Sequence, residues 1–115
     1  MDESPRQDQR RGVPRVYVDL PVSLTWKGED LPFRARQLSE LGILLAPGHK
    51  ELVSEDIQVK FDLDSPGGSL SLSGIVAYAI HNAIGIRFKD LSAEQQTALK
   101  EYVQTCAAGK LNPVV

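Results

Sequence analysis

From Arg15 onward, apolar and polar positions alternate. Val16, Val18, Leu20, Val22, Leu24 and Trp26 are interleaved with Tyr17, Asp19, Pro21, Ser23, Thr25 and Lys27. Successive side chains leave a strand on opposite faces, so this period of two predicts a long strand with one buried face. Pro21 lacks an N–H donor and points to an edge or a bulge partway along it. Gly28-Glu29-Asp30 reads as a turn into a second strand, in which Leu31, Phe33 and Ala35 alternate with Pro32, Arg34 and Arg36. After a break at Ser39 to Gly42, Ile43-Leu44-Leu45-Ala46 is a third strand, ended by the Pro47-Gly48 loop. Ile57, Val59, Phe61 and Leu63 mark a fourth, closed by the turn signal Ser65-Pro66-Gly67-Gly68. Leu70 to Ile80 is a fifth, with Gly74 as its expected bulge or bend. His81-Asn82 turns the chain into a sixth, carried by Ile84, Ile86 and Phe88.

The period then changes. Ser92 and Gln95 have the spacing of a capping box, in which each side chain satisfies a free backbone N–H of the other residue. Leu99, Tyr102, Val103 and Cys106 follow at helical spacing, giving an amphipathic helix over about Ala93 to Ala107, with Gly109 as its stop. Six short-spaced strands and one helix predict an all-β fold: a six-stranded antiparallel β-barrel with one C-terminal α-helix. Closure removes sheet edges, and the helix is expected to cover one opening or flank. The expected organisation is an arm over 1–14, the barrel and helix over 15–108, and a short tail over 109–115.

Composition narrows the function classes. The 115 residues fit one domain, 42% hydrophobic and 24% charged. The formal net charge of -2, with one tryptophan, three tyrosines and three phenylalanines, argues against a binder of nucleic acid polymers, which would join a basic excess to exposed aromatics. No apolar run reaches membrane-spanning length, so no membrane insertion is expected. Met1 to Arg11 is polar and charged, without the pattern of a signal peptide, and the expected location is cytoplasmic. Cys106 is the single cysteine and falls on the helix's apolar stripe, the place of a structural thiol. His49 and His81 lie in or beside turns without partnered ligands, so no metal site is expected. No phosphate-binding glycine loop and no nucleophile–base set is present, and the chain does not read as an enzyme.

Two short motifs remain. Arg10 and Arg11-Gly12-Val13-Pro14-Arg15 stand directly before the first strand, and Gln37-Leu38-Ser39-Glu40-Leu41-Gly42 joins the second to the third. Singly, each has an ordinary explanation as a solvated arm and a turn. In this order and at these places they resemble the PilZ family, which carries Arg-x-x-x-Arg leading into its first strand and, further on, Asp or Asn-x-Ser-x-x-Gly. The neighbourhoods match as well: Val16 to Val22 resembles the first strand, Gly74 to Tyr78 and Gly85 to Phe88 the last two, and Leu91 to Tyr102 the closing helix. At the first position of the second motif the chain departs, with Gln37 in place of Asp or Asn.

The resemblance implies a receptor for cyclic di-GMP, without cofactor, in which Arg10, Arg11, Arg15, Gln37, Ser39 and Gly42 bind the ligand. These residue types suit it. Guanidinium forks match phosphate oxygens and the O6/N7 edge of guanine. Ser39 offers a hydroxyl, and Gly42 lets backbone turn sharply or come close. Tyr78 is a candidate for stacking on a base, with packing against neighbours as the equal alternative. Exchanging a charged for a neutral hydrogen bond at Gln37 costs about 1 kcal/mol, close to tenfold in affinity. Because no output domain is recognisable, the signal is expected to pass to a separate protein partner, by ordering of the arm. Motility, pilus or exopolysaccharide control are the processes the resemblance implies, for a monomer or dimer. A second reading keeps the fold and drops the ligand, leaving a protein-interaction adaptor; Gln37 is its support.

Overall fold

The computed structural model describes residues 14–63 and 68–107. Its strands are β1 (Arg15–Trp26), β2 (Glu29–Ser39), β3 (Gly42–Ala46), β4 (Asp56–Asp62), β5 (Ser69–Ile80) and β6 (Ala83–Lys89), with a short 3-10 turn at Lys50–Leu52 and the helix α1 (Ala93–Ala107). All neighbours are antiparallel, in the closed order β1-β2-β3-β6-β5-β4. The alternation holds as expected. Val16, Val18, Leu20, Val22 and Leu24 of β1 are buried, and they meet Phe33, Ala35, Leu45, Val59, Leu72 and Ile84 inside the barrel.

The first turn is tighter than its sequence suggests. Trp26 pairs with Glu29, so Lys27-Gly28 alone makes the hairpin and Glu29-Asp30 belongs to β2. Both turn residues have positive φ, 52° and 81°, the backbone whose twist matches the strands it joins. His81-Asn82 likewise links Ile80 to its partner Ala83.

Closure between β1 and β4 is short, at Ser23–Lys60, Leu24–Val59 and Thr25–Gln58. Pro21 sits before this ladder begins, where a missing donor breaks no bond to β4. Helix α1 packs against β1 and β2. It buries Leu99, Tyr102, Val103 and Cys106. Its capping box forms as the spacing required: the Gln95 N–H donates to Ser92 Oγ and the Ser92 N–H to Gln95 Oε1, both at 3.0 Å. The Gln95 amide also donates to the Ser71 carbonyl at 2.9 Å, tying the helix start to β5.

Three register shifts interrupt the ladders, and none falls at Gly74. Gly74 is in register with Ile57 and Phe88, and the β5 bulge lies at Ala77, between Val76 and Tyr78. Gly74 is small for a different reason: a Cβ there would stand 2.7 Å from Ile86 Cγ2 and 2.9 Å from the Arg87 carbonyl oxygen. The others place Arg36 as an extra residue of β2 against β3, and Val18-Asp19 of β1 against Arg36.

Candidate functional site

Two of these bulges build the site, because each reverses which side chains leave the barrel. Along β2, Phe33 and Ala35 point inward, and unbroken alternation would send Gln37 inward too. The extra residue Arg36 turns Gln37 outward and puts Leu38 in the core. Along β5, Leu72, Gly74 and Val76 point inward. The extra residue Ala77 turns Tyr78 outward and lets Ala79 pack on the core. An outward row then crosses five strands through the paired residues Tyr17, Gln37, Leu44, Gly85 and Tyr78.

This face holds a cleft of about 400 Å³ lined by Arg15, Gln37, Ser39, Gly42, Tyr78 and Arg87, with Leu44 and Gly85 in its floor. Gly85 is required by Tyr78: a Cβ at this position would lie 2.3 Å from the tyrosine ring. The ring therefore rests on the glycine backbone, 47% exposed, as an aromatic shelf at one end of the cleft.

At the other end the Ser39–Gly42 connection has been put to structural use. Ser39 is 6% exposed, and its Oγ accepts hydrogen bonds from the N–H groups of Leu41 (3.1 Å) and Gly42 (3.2 Å), closing the turn. The Leu41 carbonyl accepts from the Phe88 N–H at 2.9 Å, binding the turn to β6. A Cβ on Gly42 would stand 2.3 Å from the Ile86 carbonyl oxygen, so its close approach is to the neighbouring strand. Both residues line the cleft, yet the barrel alone accounts for their identity.

The charged and amide groups are different. Arg15 opens β1, paired with Ser39, and Arg87 of β6 is paired with Gly42. The two arginines thus flank the turn from either side, three strands apart, roughly 14 Å along the curved sheet. Of the four described arginines, Arg34 and Arg36 are held by Asp19, at 2.5 Å and 3.6 Å. The hydrogen bond from Arg34, with the charges of both guanidiniums, holds the Asp19 carboxyl below its ordinary value. Arg15, Arg87 and the Gln37 amide have no such partner among the described residues. Among the described residues no carboxylate lines the cleft, which presents two cations and an amide to solvent.

Arg10 and Arg11 lie outside the described residues; among the described ones, Arg15 of the first motif lines the cleft. Arg87 escaped the sequence reading because one outward arginine in an alternating strand looks like ordinary surface. Its distinction comes from pairing with Gly42, which only the register reveals. Among the described residues no cluster of His, Cys, Asp or Glu suited to a metal occurs. His49 packs edge-on against Trp26, with ring centroids 5.7 Å apart. Among the described residues, no helix is long and apolar enough to cross a membrane.

Fold and cleft together define a small closed barrel with an arginine-flanked cleft and a helix packed against its first two strands. The family model for the PilZ domain matches residues 6–105, and the chain belongs to that family, one of binding modules rather than enzymes. Solved structures agree on the fold. The inhibitor of motility MotI/DgrA of Bacillus subtilis superposes with a TM-score of 0.72 at 16% identity, over 90% of this chain and 53% of that one. The PilZ domain of YcgR from Escherichia coli, solved with c-di-GMP, gives 0.67 at 17% identity, over 92% of this chain and 100% of that one. PlzA of Borreliella burgdorferi, in complex with c-di-GMP, gives 0.61 at 16% identity, over 85% and 45%. The chain thus spans about half the length of the MotI chain it matches. No curated protein matches it in sequence.

Proposed function

We propose that this domain is a cyclic di-GMP receptor that reports occupancy of the cleft to a separate protein partner. The observation that carries the reading is the set of groups without a partner among the described residues: Arg15, Arg87 and the Gln37 amide face one cleft, beside the Tyr78 ring. A dinucleotide with two phosphates and two bases offers matching chemistry. The guanidiniums take phosphate oxygens by charge-assisted bonds, the ring takes a base face by stacking, and the amide takes a base edge. The Ser39 oxygen is occupied as an acceptor, so its proton is the group left to give. Arg10 and Arg11 act from the arm that precedes β1, and binding orders that arm, changing the surface a partner meets. The c-di-GMP bound in the YcgR and PlzA structures supports the ligand. The motility inhibitor among the fold neighbours supports motility as one process under its control.

Calorimetric titration with cyclic di-GMP tests this. Arg15→Ala is expected to weaken binding by about 10- to 100-fold, the loss of one charge-assisted fork. Lys60→Ala, at an exposed position of β4 outside the cleft, is expected to leave it unchanged. Absence of both heat and a melting-temperature shift at high ligand concentration would refute the receptor and leave the adaptor reading.

A further inference from the structure

We infer that Tyr17 is a second base platform of the cleft, so that a cyclic dinucleotide lies opened out across it, with one base on the Tyr78 ring and the other on Tyr17. The inference rests on the receptor reading above and concerns how the same site holds its ligand. The chain has one tryptophan, three tyrosines and three phenylalanines. Phe33, Phe61, Phe88 and Tyr102 are buried, and Trp26 packs against the core. Tyr17 and Tyr78 are the two that remain, and both are exposed, Tyr17 at 68%. Both also fall on the one outward row that crosses the cleft, at its two ends.

An exposed ring taken singly is ordinary surface. The neighbours of Tyr17 set it apart. It leaves the same face of β1 as Arg15, two residues before it, and stands directly across from Gln37 of β2. Arg15 and Gln37 both line the cleft. Paired residues of an antiparallel ladder have their Cβ atoms about 5 Å apart, so the Tyr17 ring rises at the rim beside Gln37. No hydrogen bond, ring contact or cation–π contact with a described residue holds it there.

Hydrogen bonds from Arg10, Arg11, Arg15, Arg87, Ser39 and Gln37 run to phosphate oxygens and base edges. A base held in this way still has its faces, and stacking on an aromatic ring adds to those bonds without competing for the same atoms. A cyclic dinucleotide carries two bases, and the row offers two rings. Because the Tyr78 ring rests on Gly85, it is three strands from Tyr17, roughly 14 Å along the curved sheet. Stacked bases lie only about 3.4 Å apart. A ligand folded with its bases together therefore reaches one ring, whereas one with its bases on opposite sides of the macrocycle reaches both.

The experiment titrates the full chain with cyclic di-GMP by calorimetry, in its native form and as Tyr17→Phe, Tyr17→Leu, Tyr17→Ala and Arg15→Ala, with melting temperatures of the ligand-free variants confirming that each folds. The native chain is expected to bind one ligand. Tyr17→Ala and Tyr17→Leu are expected to weaken binding by about 5- to 150-fold, the contribution of one base–aromatic stack. Tyr17→Phe keeps the π-face and is expected to stay within about threefold of native. Either Tyr17→Ala or Tyr17→Leu at native affinity would overturn the inference and, with Arg15→Ala still weakened, leave the receptor standing. More than one ligand per chain would overturn the single opened-out ligand, and with it the inference. If the native chain gives neither heat nor a shift in melting temperature, both readings fall.

Discussion

Replacing Gly42 by alanine separates a residue kept for the ligand from one kept for the barrel. The added methyl would meet the Ile86 carbonyl oxygen at 2.3 Å, where ordinary contact begins at 3.4 Å. The obstacle is backbone, so no rotamer relieves it, and β3 must draw away from β6 by about 1 Å. Gly42 and Ile43 pair with Arg87 and Ile86, and the same turn is bound to β6 through Phe88 and Leu41. The displacement therefore strains a junction that barrel closure needs. Gly42 has no positive φ, so the cost is steric and not conformational. Overpacking of this kind costs about 1–3 kcal/mol, which lowers the midpoint of a domain this size by roughly 4–15 °C. Circular dichroism melting of ligand-free protein measures it. Leu41→Ala, at an exposed position in the same turn, serves as the control and is expected to shift the midpoint little. An unchanged midpoint for Gly42→Ala in ligand-free protein would refute the close approach and return this glycine to a ligand role.

Three further substitutions test other links. Ser39→Ala removes the acceptor for two backbone N–H groups at a buried position, and urea denaturation of ligand-free protein is expected to show a loss of about 1–3 kcal/mol. Leu99→Ala empties a fully buried site beneath α1 and is expected to cost about 2–5 kcal/mol in the same assay. Asp19→Asn releases Arg34 and Arg36. Because the Asp19 carboxyl lies below its ordinary 3.8 in the folded state, the unfolded chain binds its proton first as pH falls. The stability difference between native and variant is therefore expected to be small but present at neutral pH, and to vanish as pH drops through the lowered value. Urea midpoints across the acid range check this, and a difference that persists in strong acid would contradict the pairing.

The barrel was largely legible because one-sided burial imprints a period of two on β1, β4 and β6, and because Ser92 and Gln95 announce the helix by their own hydrogen bonds. Bulges leave no such imprint. An extra residue in a strand is defined by what its neighbour lacks, so Arg36 and Ala77 look ordinary until β2 is set against β3 and β5 against β6. The sequence pointed to Gly74 for the bulge because glycine often marks one, whereas here it accommodates Ile86 and Arg87 in an unbroken ladder. The same limit hid the Tyr78–Gly85 shelf and Arg87. Each depends on a cross-strand partner more than on a local pattern.

Ser39 and Gly42 are satisfied from within, one by the turn it closes and the other by the strand it touches. A chain that keeps both has kept a barrel junction, whatever it binds. Arg15, Arg87 and Gln37 have no such internal reason: nothing described in the fold pairs with them, and the Arg36 bulge turns Gln37 away from the core. Information about the ligand is therefore concentrated in the polar groups the scaffold leaves unpaired. The position where this chain departs from the family's Asp or Asn is one of them, so a substitution there is expected to change ligand affinity without disturbing the wall that forms the cleft.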